Sequence, residues 1–579
     1  MGKKIINILI EILLFVFILA IMLGLILKNP IYNLDEIWNY NFAHEIVRGL
    51  IPYKDINMVI TPLFPYLIAG LLKIFGDELI VFRVIEALLM TSIFFITYKI
   101  LNKIQGKKLY SIISVLIIIE LYKDYIALDY NFLCLFFVLI IILIEINQID
   151  KNNNDTILNK KTDKSNSDVA LNKQVDNRNS EVVLNKQIDN RNSNGVLNKQ
   201  IDNRNSKIVL NKQVDKSNEQ IILDKKIEIL IGVLAALTIC TKQTIGIFIS
   251  LVSMIEPFLI NCNNNNRKSA LKRSLLRLLG IISVCILFAI CLILTKSFND
   301  FINYAVLGIK TFNNYLGYEN VLGSEHFYIR LIAAIFPVYF VVSTVFLIIL
   351  RIDLIKNKVE VVKYKNIILK MICLKVMGDG LLIIIYPISD EQHFLIGIYV
   401  LIIEFLAIIG CLLNREKIKY CITTIEIIFI CLLVYNLTGM TKINFETYIK
   451  SNKIAELKHY HFIPSYNQNE MPIKLLSDFI IKNEQKGYNV KIVDSMAAIF
   501  KIPIDSYDKN YDLPQIGNIG KDGEDGLIKE IENSHNTMYL ILDDEYSQNW
   551  QALNKTINYI KENCEEKGKI AFYKVYYKK

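Results

Sequence analysis

The chain has 579 residues, 53% of them hydrophobic and 21% charged, with a formal net charge of +9. A basic balance can signal nucleic acid, but the lysines and arginines fall mostly between long apolar blocks, where membrane orientation accounts for them and nucleic acid is not needed as a partner. All the cysteines except Cys564 lie in or beside those blocks, with neither a disulfide framework nor a Cys-x-x-Cys metal spacing.

A helix rises about 1.5 Å per residue, so a ~30 Å hydrocarbon core takes about 20 apolar residues. Ile5 to Leu27 meets this with one interrupting charge, Glu11, and Lys3 and Lys4 precede it. The run is too long for a signal-peptide core and no small-x-small site follows. An uncleaved first span with a cytoplasmic N-terminus is expected.

Residues 28–78 form the next, outer segment. Leu34, Trp38, Phe42 and Ile46 recur every fourth residue, giving a helix with one apolar face, expected to lie on the membrane surface. Asn33 or Asp35 can cap its start and Gly49 fits its stop. Thr61-Pro62 then opens a second apolar helix running to Phe75-Gly76.

Eleven spans are expected in all: 5–27, 79–101, 109–123, 128–146, 227–241, 245–261, 278–296, 328–350, 367–386, 394–413 and 420–438. The short loops 102–108, 262–277, 351–366 and 414–419 then face the cytoplasm, and all are basic, as the positive-inside rule requires. Two of the expected hairpins are tight. Asp124 and Asp129 interrupt 109–146, and Lys242-Gln243-Thr244 interrupts 227–261.

The resulting units are an N-terminal membrane part (1–146), a cytoplasmic insert (147–226), the remaining membrane helices (227–438) and a small extracytoplasmic α/β domain (439–579). The insert repeats a 13-residue unit from Leu158, Leu171, Leu184, Leu197 and Leu210. Its low hydrophobicity predicts disorder, with a weak self-associating helix as the alternative. In the last domain, helices are expected at 472–485, 524–534 and 548–564, and strands at 489–494, 537–543 and 569–576.

An acidic pair just after the first span, a surface helix, then Gly49-Leu50-Ile51-Pro52-Tyr53-Lys54-Asp55 and the Pro62-Leu63-Phe64-Pro65-Tyr66 helix resemble the GT-C membrane glycosyltransferases. The pattern is most similar to glycosyltransferase family 39, which includes protein O-mannosyltransferases and lipid A aminoarabinose transferases. It covers about residues 1–260 and is sharpest over 33–76. The family often has a double proline where this chain has Thr61-Pro62, a departure that bears on subfamily and acceptor. The resemblance implies a mostly α polytopic bundle, a polyprenyl-phosphate sugar as donor, and an essential first acidic residue, here Asp35, with Glu36 beside it. Tyr53, Lys54 and Asp55 fall in the matched motif. Similarity continues at Asp129, at Thr241-Lys242-Gln243-Thr244 and at Ser389-Asp390-Glu391-Gln392-His393.

The chemistry can be argued independently. Nucleotide sugars are cytoplasmic, so an outward site needs a donor delivered through the bilayer. Displacement at the anomeric carbon needs a base for the acceptor hydroxyl and cations for the leaving phosphate. Asp35 is the candidate base, and Lys242, Lys54 and His393 are candidate phosphate partners at the outer face. The resemblance adds Asp390 and Asp129 to the candidate donor site. Envelope glycan, lipid or protein could be the acceptor. The sequence identifies no cofactor; a divalent metal ion is the one candidate, with unknown ligands.

Each of these residues also has a plain structural explanation. Asp35 and Glu36 could complement a helix dipole. Lys242 could be the hydrated tip of a hairpin, Asp129 a span boundary, and Asp390 with His393 a polar turn. Lys375 and Asp379 can neutralise each other at helical spacing, and Glu404 is expected to find an interhelix partner or line a donor groove. His459-Tyr460-His461 lacks a third ligand nearby in sequence. A lipid-linked polysaccharide polymerase, ligase or flippase, or a transporter, are the alternative functions.

Overall fold

The apolar blocks are helices in the computed structural model, which describes residues 2–31, 33–126, 129–151, 224–261, 267–311, 316–356, 358–362, 364–413, 419–465, 467–543 and 553–579. The 13-residue repeats lie outside the described residues. The first five helices are α1 (Gly2–Leu27), α2 (Leu34–Val47), α3 (Leu63–Phe75), α4 (Leu79–Gln105) and α5 (Lys108–Tyr122). On either side of the insert stand α6 (Tyr130–Lys151) and α7 (224–241). Then come α8 (Gln243–Ile260), α9 (Arg267–Leu294), the short α10 (Phe298–Phe301) and α11 (Tyr318–Leu322), and α12 (Phe327–Ile355). The apolar part ends with the short α13 (Val359–Val362), α14 (Lys365–Leu381), α15 (Glu391–Leu413) and α16 (Lys419–Lys450).

Among the described residues, eight helices are long and apolar enough to cross a membrane: α1, α4, α6, α8, α9, α12, α15 and α16. The other three expected spans are also helical. However, α5 and α14 have only 15 and 17 residues, and α7 begins with Asp224, Lys225, Lys226 and Glu228. Leu279, Ile286 and Ile293 on α9, and Val338, Val345 and Ile349 on α12, form exposed apolar stripes. Lipid is the solvent that suits such faces.

Several charges inside the bundle are paired, whereas both oxygens of the buried Glu404 on α15 lack a hydrogen-bond partner among the described residues, so its expected interhelix partner is not found there. Glu11 of α1 accepts from Lys99 of α4 at 2.6 Å. Lys375 and Asp379 meet at 2.7 Å, as their spacing predicts. Arg273 and Arg277 were expected in a cytoplasmic loop but belong to the first turns of α9. Arg277 is fully buried; its Nε meets Glu228 at 2.6 Å and its Nη1 meets Glu256 at 2.9 Å, while Nη2 meets Glu145. Three carboxylates from α6, α7 and α8 compensate the guanidinium, so the helix need not end where the charge begins.

Glycines set the closest crossings. A Cβ on Gly232 would lie 2.0 Å from Arg277 O, and one on Gly280 would lie 2.3 Å from Ile229 O, so α7 and α9 touch backbone to backbone. At Lys242 the chain leaves helical geometry (φ −148°, ψ 113°). Beyond it, a Cβ on Gly246 would sit 2.0 Å from Ile239 N. α7 and α8 are therefore folded sharply against each other, as the interruption at 242–244 predicts.

α16 runs on to Lys450, past the expected boundary at 438. The C-terminal region then contains α17 (Asn467–Glu484), β1 (Asn489–Ile492), α18 (Ala498–Lys501), α19 (Gly523–Glu532), β2 (Thr537–Leu542), α20 (Asn554–Asn563), β3 (Glu565–Ile570) and β4 (Tyr573–Lys578). The sheet order is β1-β2-β4-β3, with β1 parallel to β2 and the other pairs antiparallel. The expected single strand at 569–576 is instead a hairpin. β3 is an exposed edge strand of sequence EEKGKI, with no apolar alternation to reveal it.

Candidate functional site

The site begins at the first turn of α2. Asn33 caps the helix, accepting from the N–H groups of Asp35 at 2.8 Å and Glu36 at 3.3 Å. The two acids then part. Glu36 takes a bidentate pair from Arg83 on α4, at 2.6 Å from Nε and 2.9 Å from Nη2. Asp35 instead lines a cavity of about 570 Å³. α2 is not the surface helix expected from its apolar stripe. Asn39, Asn41, His44 and Glu45, on its other side, are buried too.

Stretches far apart in the chain meet at this cavity, among them the start of α2, the segment before α3, the start of α6, the α7–α8 junction, the segment leading into α15, and a loop of the C-terminal domain. Lys242, Asp390 and His393 line it with Asp35. Asp129 stands behind them. It caps α6, accepting from Asn131 N at 2.7 Å and Phe132 N at 3.1 Å, and its other oxygen accepts from Gln392 at 3.3 Å. Lys242 Nζ donates to Asn131 Oδ1 at 3.1 Å and lies 4.9 Å from the centre of the Tyr130 ring. Asp390 caps α15 and also holds His393: its Oδ1 accepts from His393 N at 2.7 Å, and its Oδ2 lies 2.8 Å from His393 Nδ1.

This crowding sets the proton affinities. Burial, with Asp129 and Asp390 nearby, raises the Asp35 carboxyl to about 6, although His393 and Lys242 oppose the rise. Burial likewise raises Asp129 and lowers Lys242, whose carboxylate neighbours oppose the shift. Burial would raise Asp390 too, but its hydrogen bonds and charge contact with His393 leave it below the usual carboxylate range. Asp35 is thus poised to take up a proton near neutral pH, beside a lysine and a histidine whose N–H groups can meet an anion.

The rest of the lining divides in two. Leu34, Ile60, Ile309, Ile383, Ile384 and Ile388 give an apolar wall. Against it stand polar atoms that are buried with no hydrogen-bond partner among the described residues: Trp38 Nε1, Gln243 Oε1, Gln515 Nε2 and Asn518 Oδ1. Buried polar atoms are rarely left unsatisfied. Two donors and two acceptors thus belong to residues that line the hollow, each atom covered in this structure and within reach of a ligand once its side chain turns.

Of the other residues expected at the site, Tyr53, Lys54 and Asp55 do not line the cavity. Tyr53 is buried and donates to Ile60 O at 2.7 Å, while Asp55 Oδ2 accepts from Ile51 N at 2.9 Å. Lys54 is exposed, and its carbonyl accepts from Lys509 at 2.7 Å. These residues shape the loop that docks the C-terminal domain. Next to them, Asn57 Oδ1 accepts from Tyr507 at 2.7 Å and its Nδ2 donates to Asn518 O at 3.0 Å. Glu404 is fully buried on α15 and does not line the cavity. Asp543 pairs with Lys569 at 2.7 Å and Lys574 at 3.2 Å.

Residues 515–518 carry no sequence signal that joins them to Asp35; only the tertiary fold does. No protein-family model and no curated protein matches this chain.

Proposed function

We propose that this chain is an integral membrane glycosyltransferase that transfers a sugar from a polyprenyl-phosphate donor, with inversion, to an envelope glycan, lipid or protein on the outer face of a membrane. The observation that carries this reading is the cavity's composition. A carboxylate of raised proton affinity, a lysine, a histidine, an apolar wall and unsatisfied polar atoms share one hollow at the ends of apolar helices. A phosphate needs the cations, a prenyl chain needs the wall, and a sugar needs the mixed donors and acceptors.

In the proposed step the acceptor hydroxyl oxygen attacks the anomeric carbon and the bond to the phosphate oxygen breaks. Asp35 takes the hydroxyl proton. Lys242 and His393 meet the negative charge on the departing polyprenyl phosphate. Asp390 positions His393 through Nδ1, as an orienting carboxylate does in other sites. One displacement inverts the configuration.

Orientation is argued from charge. The Arg273–Arg277 cluster gathers the end of α6, the start of α7 and the end of α8. The cavity gathers the start of α6 and the α7–α8 junction. The two therefore sit at opposite ends of these helices, and the positive-inside rule assigns the basic end to the cytoplasm. Eleven spans with an inside N-terminus give the same result.

The test is release of polyprenyl phosphate from a panel of radiolabelled polyprenyl-phosphate sugars by the protein in liposomes supplied with envelope glycan, lipid and protein as acceptors. One donor should be consumed by the wild type and spared by Asp35→Asn. Turnover of no donor, or equal turnover by the variant, contradicts the reading.

A further inference from the structure

A second cluster lies away from the cavity, where α2, the α3–α4 turn and the C-terminal region meet. His44, Asp77 and His459 can each bring one ligand atom within 4.8 Å of the others. Sequence spacing gave His459 no third ligand; the fold brings His44 of α2 and Asp77, from the residue pair before α4, beside it. His44 is fully buried and His459 is 5% exposed. Their rings meet edge to face with centroids 4.5 Å apart.

The hydrogen bonds fix which ring nitrogens are committed. His44 Nδ1 lies 2.7 Å from Asp77 Oδ2, and His459 Nδ1 lies 2.6 Å from Asp77 O. Both Nδ1 atoms therefore donate to Asp77, one to its side chain and one to its backbone. In a neutral imidazole the other nitrogen then presents a lone pair. His459 Nε2 lies within hydrogen-bond distance of Asp505 Oδ1, at 2.9 Å. His44 Nε2 is buried with no hydrogen-bond partner among the described residues, 3.7 Å from both Asp505 Oδ1 and Glu45 Oε1. Glu45 Oε1 is buried and unpartnered as well. The free His44 nitrogen thus faces two carboxylate oxygens, one of them also beside His459 Nε2, an arrangement that a cation satisfies; the second oxygens of Glu45 and Asp505 are held by Arg48 and Lys458. An imidazole whose Nδ1–H is held by a carboxylate or carbonyl, with Nε2 turned inward, is the usual posture of a metal-bound histidine.

We propose that His44 and His459, with the Asp505 carboxylate and Glu45 completing the set, bind a divalent ion of the zinc type, and that Asp77 orients both rings. Two nitrogen and two oxygen donors suit that ion. Tetrahedral ligands about 2.0–2.1 Å from zinc lie roughly 3.4 Å apart, and the contacts at Asp505 Oδ1, 2.9 and 3.7 Å, bracket that spacing. The ion would clamp the C-terminal region to α2, the helix whose first turn carries Asp35. This inference does not depend on the reaction proposed above.

The test uses the full chain in detergent, stripped with EDTA, reloaded with ZnCl2 and gel-filtered before its metal content is measured. A single zinc per chain is expected in the wild type, with loss of that ion in His44→Gln and in His459→Gln. Cobalt loading of the wild type should give the visible bands of a tetrahedral nitrogen–oxygen site, a readout that needs no variant to fold. Wild type that retains no zinc and gives no such bands overturns the proposal and leaves a metal-free imidazole–carboxylate network. Full zinc content in both variants overturns it too, since the ion then lies elsewhere.

Discussion

Arg83 grips Glu36 through two hydrogen bonds, at 2.6 and 2.9 Å, and so separates it from Asp35, its neighbour in sequence, which faces the cavity. The pair is almost wholly buried. Removing one partner of such a pair costs about 3–5 kcal/mol, because the other charge is left uncompensated. Arg83→Met should therefore lower the unfolding temperature in detergent strongly. Adding Glu36→Leu should restore most of the loss and leave donor turnover measurable. A stable but inactive double variant would assign Glu36 to the chemistry instead.

Asp35 should behave as a base whose environment costs stability. Its folded proton affinity, near 6, lies above the ordinary value of 3.8. The fold thus disfavours the ionised form, and that penalty is absent below about pH 4 and complete above about pH 6. Asp35→Asn should then raise thermal stability at pH 7, by an amount on the order of 3 kcal/mol at most, while abolishing transfer. In the wild type, turnover should rise with pH through about 6, as the base loses its proton. A thermal shift series and a pH–rate profile check the two halves separately.

Lys242 is asked to stabilise charge on the leaving phosphate. Loss of one such group typically costs about 10²–10³ in kcat. Lys242→Met should show a loss of that size with the fold intact. Asp390→Asn should have a smaller effect, since it disturbs the orientation of His393 and removes one negative neighbour of Asp35 but takes away no group that meets the phosphate. Steady-state kinetics on both variants give the order, and equal effects would place Asp390 on the reacting groups.

The unsatisfied polar atoms should choose the sugar. Trp38→Phe removes one N–H and little shape, whereas Gln515→Ala and Asn518→Ala remove groups supplied by the C-terminal domain. Each should raise KM for the preferred donor by roughly tenfold, the worth of one lost hydrogen bond, and flatten preference across the donor panel. Unchanged KM in all three would detach the C-terminal loop from donor recognition.

Gly246 tests the sharp fold at Lys242. A Cβ there would overlap Ile239 N at 2.0 Å, so Gly246→Val must push α7 and α8 apart. Loss of both thermal stability and turnover is expected, because Lys242 sits at that junction.

Much of this arrangement was readable from the residues. The acids after the first apolar block, the interruption at Lys242 and the Asp390–His393 turn all stand where apolar runs stop, and run length is a strong signal. They converge because the helices bearing them end at one level. Tyr53, Lys54 and Asp55 belong to the same motif as Asp35, but their loop faces the C-terminal domain rather than the hollow, and spacing alone does not encode that. The stripe of Leu34, Trp38, Phe42 and Ile46 gave one face of α2. The burial of His44 and Glu45 on the opposite face depends on partners such as Asp505, far along the chain. The eight qualifying helices fall short of the eleven expected spans where a segment is short, as in α5, or starts with charges, as in α7.

Photoaffinity labelling tests most directly whether the hollow at Asp35 holds the donor. A polyprenyl-phosphate sugar bearing a diazirine beside the phosphate should label peptides containing Lys242–Thr244, Tyr386–Asp390 and Gln515–Asn518. Unlabelled polyprenyl phosphate should compete, and Asp35→Asn should still be labelled. Labelling that does not saturate, or that falls wholly on other segments, would contradict the account.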